Sequence, residues 1–435
     1  MSILKVKDSN GRVYDIPALK GQRGEEGETT HNYAHKNFAN AIPGSANGTG
    51  IVLNDSAEAA LRQFKIYGKS VQNGTPTPTA PVDIVSVGDS KDIEINARGK
   101  NLLPFPYHNE SITKNGGTMT ALADGGIKLS GTPTDYCGFT LYSGKPFHKG
   151  KITVTLLGNY TNVSLGIGIY DANKNFLYET TQKTQIIDLS LYPSAVKIEI
   201  TVKRNLTNTE MSGVVYPMVV MGSTIPTQYE AYKTNYSILF DTPLRAIPVT
   251  DKSLATYTDE NGKMWCADEI DLERGVYIQR IYKKTITTET TIAKHSYSND
   301  NYFVCMVGDS HKSNSNECLS THFVRETNGE KLRNTTCVHC IIGYTNPIHF
   351  SVPTTFANDV AAFKEWAINN GLTVYYVLDT PITIPLTDEE ITAYKNLRTN
   401  FPNTTILNNE NAFMNVEYVI DTKTYIDNKI AAMLG

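Results

Sequence analysis

The sequence predicts a mainly β protein: tandem β-sandwich or jelly-roll modules with a short N-terminal β-hairpin, a Gly-x-x linker and a C-terminal helix. Three observations carry that expectation. The chain holds 25 Tyr against 14 Phe and 2 Trp, and Thr, Asn and Gly also run high. Thr, Tyr, Val and Ile suit a pleated surface, whereas Asn and Gly suit tight turns. Between 101 and 235, short alternating segments recur: Gly126-Ile-Lys-Leu-Ser, Lys151-Ile-Thr-Val-Thr-Leu-Leu, Val163-Ser-Leu-Gly-Ile-Gly-Ile-Tyr and Val196-Lys-Ile-Glu-Ile-Thr-Val. Turn signals separate them at Asn115-Gly-Gly, Asp124-Gly-Gly, Asp171-Ala-Asn-Lys-Asn and Tyr192-Pro-Ser, the pattern of a sandwich or jelly roll. Finally, 435 residues leave room for two to four domains at about 100–200 residues each.

The elements follow in chain order. In residues 1–20, two short strands flank Ser9-Asn10-Gly11, and Asn-Gly is the strongest short-range hairpin signal. The hairpin is too small to fold alone, so it is expected to dock on a larger partner or on copies of itself. Residues 21–63 are a linker followed by a short helix. Gly21, Gly24 and Gly27 keep the period of a triple helix, whose crowded axis admits only Gly. So few triplets, without proline, also read as a flexible linker; their place beside a docking element points to a trimer. Ala57–Phe64 is helical by propensity, with Asp55 or Ser56 as N-cap.

Residues 64–100 are connecting strands interrupted by the rigid turn Asn73-Gly-Thr-Pro-Thr-Pro-Thr-Ala-Pro81. Residues 101–235 form the sandwich. Residues 236–393 are a second β-rich domain with one helix, Phe356–Asn370, which puts Phe356, Val360, Phe363 and Ile368 roughly on one face and stops at Gly371. The strand Leu372-Thr-Val-Tyr-Tyr-Val-Leu378 follows. Leu239-Phe-Asp-Thr-Pro and Val377-Leu-Asp-Thr-Pro echo one another, each read as a strand leaving through a turn. Residues 394–435 hold a strand and an amphipathic helix, Asp421–Leu434, with Tyr425, Ile426, Ile430 and Met433 as its apolar stripe. A helix that short is marginal alone, so a partner or another copy is expected to pack on it, as in a coiled coil.

Charge and hydropathy exclude some classes. A net charge of -4 argues against a generally cationic nucleic-acid binder. No segment approaches about 20 consecutive apolar residues, so no membrane insertion is expected. Met1–Ile16 is polar and alternating and lacks the apolar core of a secretory signal. Synthesis in a cytoplasm and exit by another route, such as lysis, is the expectation.

Three groups of residues invite chemistry. Cys337-Val-His-Cys340, with Cys305 and Cys318 upstream, could supply four thiolates to Zn²⁺, but only one knuckle-type pair is present. The alternatives are strand cysteines half-buried in apolar runs, or a CxxC disulfide. No metal is favoured and no cofactor is expected. Catalysis finds no G-x-S-x-G elbow, no H-E-x-x-H and no P-loop. Asp388-Glu-Glu390 sits where a helix N-terminus attracts acids, and Asp268-Glu-Ile-Asp271 lies on an alternating strand. The chain is therefore expected not to be an enzyme. Tyr107, Tyr136, Tyr142, Tyr160, Tyr170 and Tyr178 fall at or near loops and strand ends of the sandwich. They are candidate glycan platforms, because a phenol ring stacks on a sugar's C–H face while its hydroxyl bonds the rim. The other reading is that each fills a half-buried strand position.

Several phrases resemble known sequences. Phe64-Lys-Ile-Tyr-Gly to Gly99-Lys-Asn-Leu-Leu103, Tyr257-Thr-Asp-Glu-Asn-Gly-Lys-Met-Trp to Arg280, and Val374-Tyr-Tyr-Val-Leu-Asp-Thr-Pro to Leu434 are similar to segments of tail and minor structural proteins from phages and prophages of Firmicutes. Pro217-Met-Val-Val to Tyr232 resembles the closing strand of the carbohydrate-binding-module-like sandwiches in such proteins. The phrases cover about half the chain, and residues 285–350 fall outside them, as a variable recognition insert or a divergent part of the sandwich. The resemblance implies a homotrimeric tail fibre or receptor-binding protein in the virion tail. It would attach to other tail or baseplate proteins through its N-terminus and contact bacterial surface polysaccharide or teichoic acid without catalysis. A purely structural baseplate or tail-tip subunit is the alternative, and a polysaccharide depolymerase tailspike the weakest.

Overall fold

The computed structural model describes residues 4–7, 13–16, 41–233, 236–294, 301–308, 311–326, 336–345, 347–353, 355–397 and 403–434. The chain divides into two units, 1–41 and 42–435, and strands dominate. In the first unit, Leu4–Lys7 and Val13–Ile16 pair antiparallel, with Leu4 opposite Ile16 and Lys7 opposite Val13, which is the expected hairpin. Its Ser9-Asn10-Gly11 turn and the glycine triplets lie outside the described residues.

The second unit is organised around a host module assembled from distant segments. One four-stranded sheet runs in the order Tyr236–Phe240, Ile93–Gly99, Asn403–Asn408, Gly50–Asn54. A seven-stranded sheet runs Ser313–Ser320, Thr373–Pro385, Val276–Thr285, Glu269–Asp271, Ser56–Tyr67, Phe413–Asp421, Ala41–Gly48. Between the two lies a core of Leu53, Phe64, Ile66, Ile93, Ile95, Phe240, Ile406 and Met414, all buried. Segments 64–100, 236–393 and 394–435 look separate in sequence, yet they interleave in these two sheets.

Ala57–Phe64 is not a helix. It belongs to the strand Ser56–Tyr67, paired with Phe413–Asp421 on one side and Glu269–Asp271 on the other. Its residues favour a helix by propensity, but a run of about eight residues barely outweighs the nucleation cost. Two ladders and the burial of Phe64 and Ile66 prevail. Asp55, expected as a cap, has φ 58 and serves as the left-handed residue between Gly50–Asn54 and Ser56–Tyr67. Asp is one of the few side chains that visits that region readily.

The sandwich is an insertion in the host. Tyr236 lies opposite Ala97, and Phe240 opposite Ile93, so the chain leaves and re-enters the four-stranded sheet on adjacent strands. Between them, one sheet runs Thr184–Asp188, Lys151–Thr161, Ser212–Met221, Ile127–Gly131, Gly117–Ala121, Ser111–Lys114. The facing sheet runs Gly138–Gly144, Lys197–Arg204, Val163–Tyr170, Phe176–Thr180. Period-2 alternation sends Leu165, Ile167, Ile169, Ile198, Ile200 and Val202 inward to meet Val154, Val215 and Val219. The seam with the host is close: a Cβ at Gly50 would lie 2.8 Å from His148 Cε1 and 2.7 Å from Met221 Sδ. Glu410 of the host holds Lys91 at 3.0 Å and Lys149 of the sandwich at 4.0 Å.

A further layer covers part of the seven-stranded sheet. A five-stranded sheet runs Ile292–Lys294, Asn301–Cys305, Ile348–Val352, Cys337–Cys340, Val324–Arg325. It shares a core with helix α1, Val360–Asn369, through Phe303, Phe350 and Phe363, and the rings of Phe303 and Phe363 stack at 4.5 Å. Asp359 caps α1 by accepting the Ala362 N–H at 2.8 Å, and Gly371 at φ 63 ends the turn. Of the face expected to be buried, Phe363 is covered fully; Ala367 is its buried companion, with Val360 and Ile368 at the edge. Strand Thr373–Pro385 has Val374 and Tyr376 in this core, while Tyr375 and Val377 pack on the opposite side with Ile247 and Cys266. Coverage on both faces explains its unbroken apolar run. Asp379-Thr-Pro381 is a bulge rather than a turn: Gln279 pairs with Ile382 and Ile281 with Val377.

Two more helices follow. Helix α2, Asp388–Asn396, carries its acids in the first turn and a capping box between Thr387 and Glu390. Helix α3, Thr422–Leu434, forms where expected, and its Ile426, Ile430 and Met433 are exposed. Among the described residues, no helix is long and apolar enough to cross a membrane.

Candidate binding face of the inserted sandwich

The outer surface of the sandwich's four-stranded sheet is set by its ladders. Directly opposed residues share a face. Gly166 faces Thr201, Gly168 faces Glu199 and Tyr170 faces Lys197. On one flank Gly138 lies opposite Lys203, and on the other Gly168 opposite Glu179 and Tyr170 opposite Phe176. All of these point away from the apolar core, which takes the alternate positions.

Glycines give this face a low floor. A Cβ at Gly168 would lie 2.9 Å from the Tyr170 ring, and one at Gly138 would lie 2.6 Å from Tyr136 Cζ. The two tyrosines therefore lie down over the sheet, each across the glycine two positions away. Phe176 packs on Tyr170 with centroids 4.7 Å apart, and Lys197 Nζ stands 5.0 Å from the Tyr170 centroid. Tyr170 is thus held between neighbours, and the open apolar platform at that end is Phe176, 61% exposed. At the other end Tyr136 is 47% exposed, with Lys114 Nζ 5.5 Å from its centroid. Glu199, held by Lys197 at 2.9 Å, sits between them. Burial holds the hydroxyls of Tyr136 and Tyr170 above the usual phenol range, and the Glu199 charge adds to this in both.

The remaining candidate tyrosines do not join this face. Tyr107 is buried, with rings of Phe105 and Phe139 edge-on and its hydroxyl donating to the Gly125 carbonyl, so it is a core residue and not a glycan contact. Its place in a loop, between Pro106 and the polar run His108-Asn-Glu110, concealed that. Tyr142 packs against the core, stacks on Phe147 at 4.6 Å and donates to the Lys145 carbonyl. A β-bulge between Thr140 and Tyr142 turned it away from the outer surface. Tyr160 lies on the other sheet, near Lys183, and Tyr178 packs inward beside Tyr192. Tyr136 and Tyr170 alone of the six share a surface. Phe176, Glu199 and Lys203 were missed. The signal for the floor was present in Gly166-Ile-Gly168-Ile-Tyr170, where period 2 puts both glycines and the ring on one face.

The cysteines do not converge as four ligands. On a strand, residues three apart point to opposite faces. Cys340 joins Cys305 and Cys318 in the α1 core, whereas Cys337 shares the reverse face with His339 and His349, whose rings lie 5.0 Å apart. Burial and the neighbouring Cys318 and Cys305 hold the Cys340 thiol well above its ordinary value, the opposite of a metal-ready thiolate. Among the described residues, no group of three or more His, Cys, Asp or Glu is arranged to hold a metal ion.

The acids at Asp268-Glu-Ile-Asp271 are buried and tied. Asp268 accepts the N–H groups of Arg245, Arg280 and Ile281 at 3.1, 2.7 and 2.8 Å and the Tyr277 hydroxyl at 3.1 Å. Burial nevertheless pushes its carboxyl up to about 6. Lys65 reaches Glu269 at 3.0 Å and Asp271 at 3.4 Å, and Arg280 reaches Glu269 at 2.8 Å. This network clamps a strand irregularity at Arg280 and leaves its carboxylates committed to internal partners.

No family model matches the chain, and no curated protein or solved structure matches it.

Proposed function

We propose that this chain is a non-catalytic receptor-binding or fibre protein of a phage tail, and that it contacts host surface glycan through the outer face of the inserted sandwich. The observation that carries the glycan part is the pair of exposed rings, Tyr136 and Phe176, at the two ends of a glycine-floored sheet with polar side chains between them. Flat rings beside hydrogen-bonding groups suit a polyhydroxylated chain lying across the strands. The tail assignment rests on the phage-like phrases in the sequence. The exposed Ile426, Ile430 and Met433 of α3 support assembly of a homotrimer, with the N-terminal hairpin docking on other tail proteins.

Purified chain should adsorb to host wall polysaccharide, and Tyr136→Ala with Phe176→Ala should weaken adsorption by about tenfold or more, at about 0.5–1.5 kcal/mol for each lost stacking surface. Both side chains are exposed, so melting temperature should hold. Adsorption unchanged by the pair would move the reading to a structural baseplate or tail-tip subunit. Light scattering should give a mass near three times 48.1 kDa, and a stable monomer would count against the fibre.

A further inference from the structure

We infer that the seam between the host and the inserted sandwich is a binding site for a small oxyanion, held by Arg98 and Thr405 of the host with His148 of the sandwich. The site is separate from the glycan face and does not depend on it. Its geometry follows from the four-stranded host sheet. Arg98 on Ile93–Gly99 lies directly opposite Thr405 on Asn403–Asn408. Their neighbours Ala97 and Ile406 belong to the host core, so period 2 sends Arg98 and Thr405 to the other side of the sheet. The sandwich covers that side. Leu407, two positions from Thr405 on the same face, is part of the sandwich core. Gly50 lies opposite Leu407, and there His148 and Met221 close in on the host backbone.

Three enclosed polar atoms of this seam make no hydrogen bond: Arg98 Nε, Thr405 Oγ1 and His148 Nδ1. Thr405 is 1% exposed and His148 9%, so neither side chain is served by bulk solvent. A buried donor left dry costs more than the hydrogen bond it would have made, and a charged one costs most. Arg98 stands out among the arginines. Arg204, Arg245, Arg280 and Arg325 each reach a carboxylate, whereas among the described residues Arg98 reaches none. Its neighbour from the sandwich is Tyr142, whose phenol is raised by burial while the Arg98 charge opposes the rise. Burial holds His148 down to about 4, so at neutral pH its ring is uncharged and carries one N–H to donate. The set is thus a guanidinium, a hydroxyl and an imidazole, rich in donors and lacking a negative charge. An oxyanion supplies that charge: two oxygens match the parallel N–H groups of a guanidinium edge, and another reaches the hydroxyl. A water satisfies the hydroxyl but leaves the guanidinium unbalanced. Because the groups come from both sides of a closed seam, the ligand is a discrete ion such as phosphate, sulfate or a simple carboxylate, not a polymer.

The test uses the full chain, dialysed free of phosphate, sulfate and carboxylates. Calorimetry with inorganic phosphate, sulfate and acetate reads stoichiometry and affinity, and the three arms decide which oxyanion is taken. The expected result is one ion per chain. Thr405→Val keeps the shape of the side chain and should weaken binding by about tenfold, and Arg98→Gln by about thirtyfold or more. Tyr136→Ala with Phe176→Ala should leave anion binding unchanged, and Thr405→Val should keep adsorption to host wall polysaccharide, so the two sites fail separately. Binding of none of the three ions by the parent chain would overturn the inference. Binding of equal strength in the parent, Thr405→Val and Arg98→Gln would overturn it too, as an adventitious ion only. Thr405→Val removes an unpaired hydroxyl and should melt with the parent; it decides alone if Arg98→Gln does not fold.

Discussion

The inserted sandwich and its host solve the same problem, two packed sheets, with opposite placements of charge. The sandwich keeps ions on its outer face, where Lys197, Glu199 and Lys203 surround exposed rings, and fills its interior with aliphatic side chains. The host carries Asp268, Glu269 and Asp271 inside, tied to Lys65, Arg245 and Arg280. Chain connectivity explains the contrast. Sandwich strands come from one stretch, so turns and alternation set most of their registers. Host strands are drawn together from both ends of the unit, Ser56 opposite Ile420 and Gly50 opposite Leu407. Directional ionic and hydrogen-bonded contacts give such remote pairings a unique register that apolar burial alone leaves loose.

The most severe way to break this contrast is Asp268→Ala. It strands three backbone N–H groups and the Arg245 charge in a dry site, and should cost about 3–5 kcal/mol in denaturant unfolding. Asp268→Asn, which keeps one acceptor, should lose less. Equal and small losses from both would mean that the clamp does not fix the host.

Acid titration sharpens the comparison at the seam. Burial pushes His148 down to about 4, against an ordinary 6.5, so its contribution to stability is lost as pH falls from 6.5 towards 4. Asp268 has the opposite sign: its folded value of about 6 exceeds 3.8, so its contribution is lost as pH rises through that window. Each shift is on the order of 3 kcal/mol. Relative to the parent, His148→Gln should appear progressively more stable as pH drops from 6.5 to 4. Asp268→Asn should show the reverse trend. Parallel pH profiles for the parent and both variants would remove the two groups as determinants.

The smallest effect belongs to the sandwich interior. Ile200→Val removes one methylene from a wholly buried position and should cost about 0.5–1.5 kcal/mol, with unchanged glycan adsorption. A larger loss, or altered adsorption, would tie the core to the outer face more closely than the alternating strands imply.

What could be read from sequence follows the same division. Val163–Tyr170 and Lys197–Arg204 announced themselves by alternation, and the N-terminal hairpin, α1 and α3 by turn and periodicity signals. Ser56–Tyr67 misled, because helix propensity is local and the ladders that overrule it lie more than two hundred residues away on either side. The candidate face was half legible. Tyr136 and Tyr170 stood out as aromatics, but Phe176, Glu199 and Lys203 become neighbours only once the registers are known. Tyr142 shows the converse: one bulge turns inward an aromatic that the sequence offered as a glycan platform.

The opposition of Tyr236 and Ala97 across one ladder has a consequence for how such a protein can change. Neighbouring antiparallel strands lie about 5 Å apart, a gap that a two-residue hairpin closes as well as a whole domain does. The sandwich is therefore a cartridge in a socket. A recombination event that exchanged residues 100–235 for another module with adjoining termini would change the surface the molecule presents while the surrounding architecture stayed intact. The glycine at position 50 and the Glu410 carboxylate, which form the socket's rim, are the places where a foreign cartridge would have to fit.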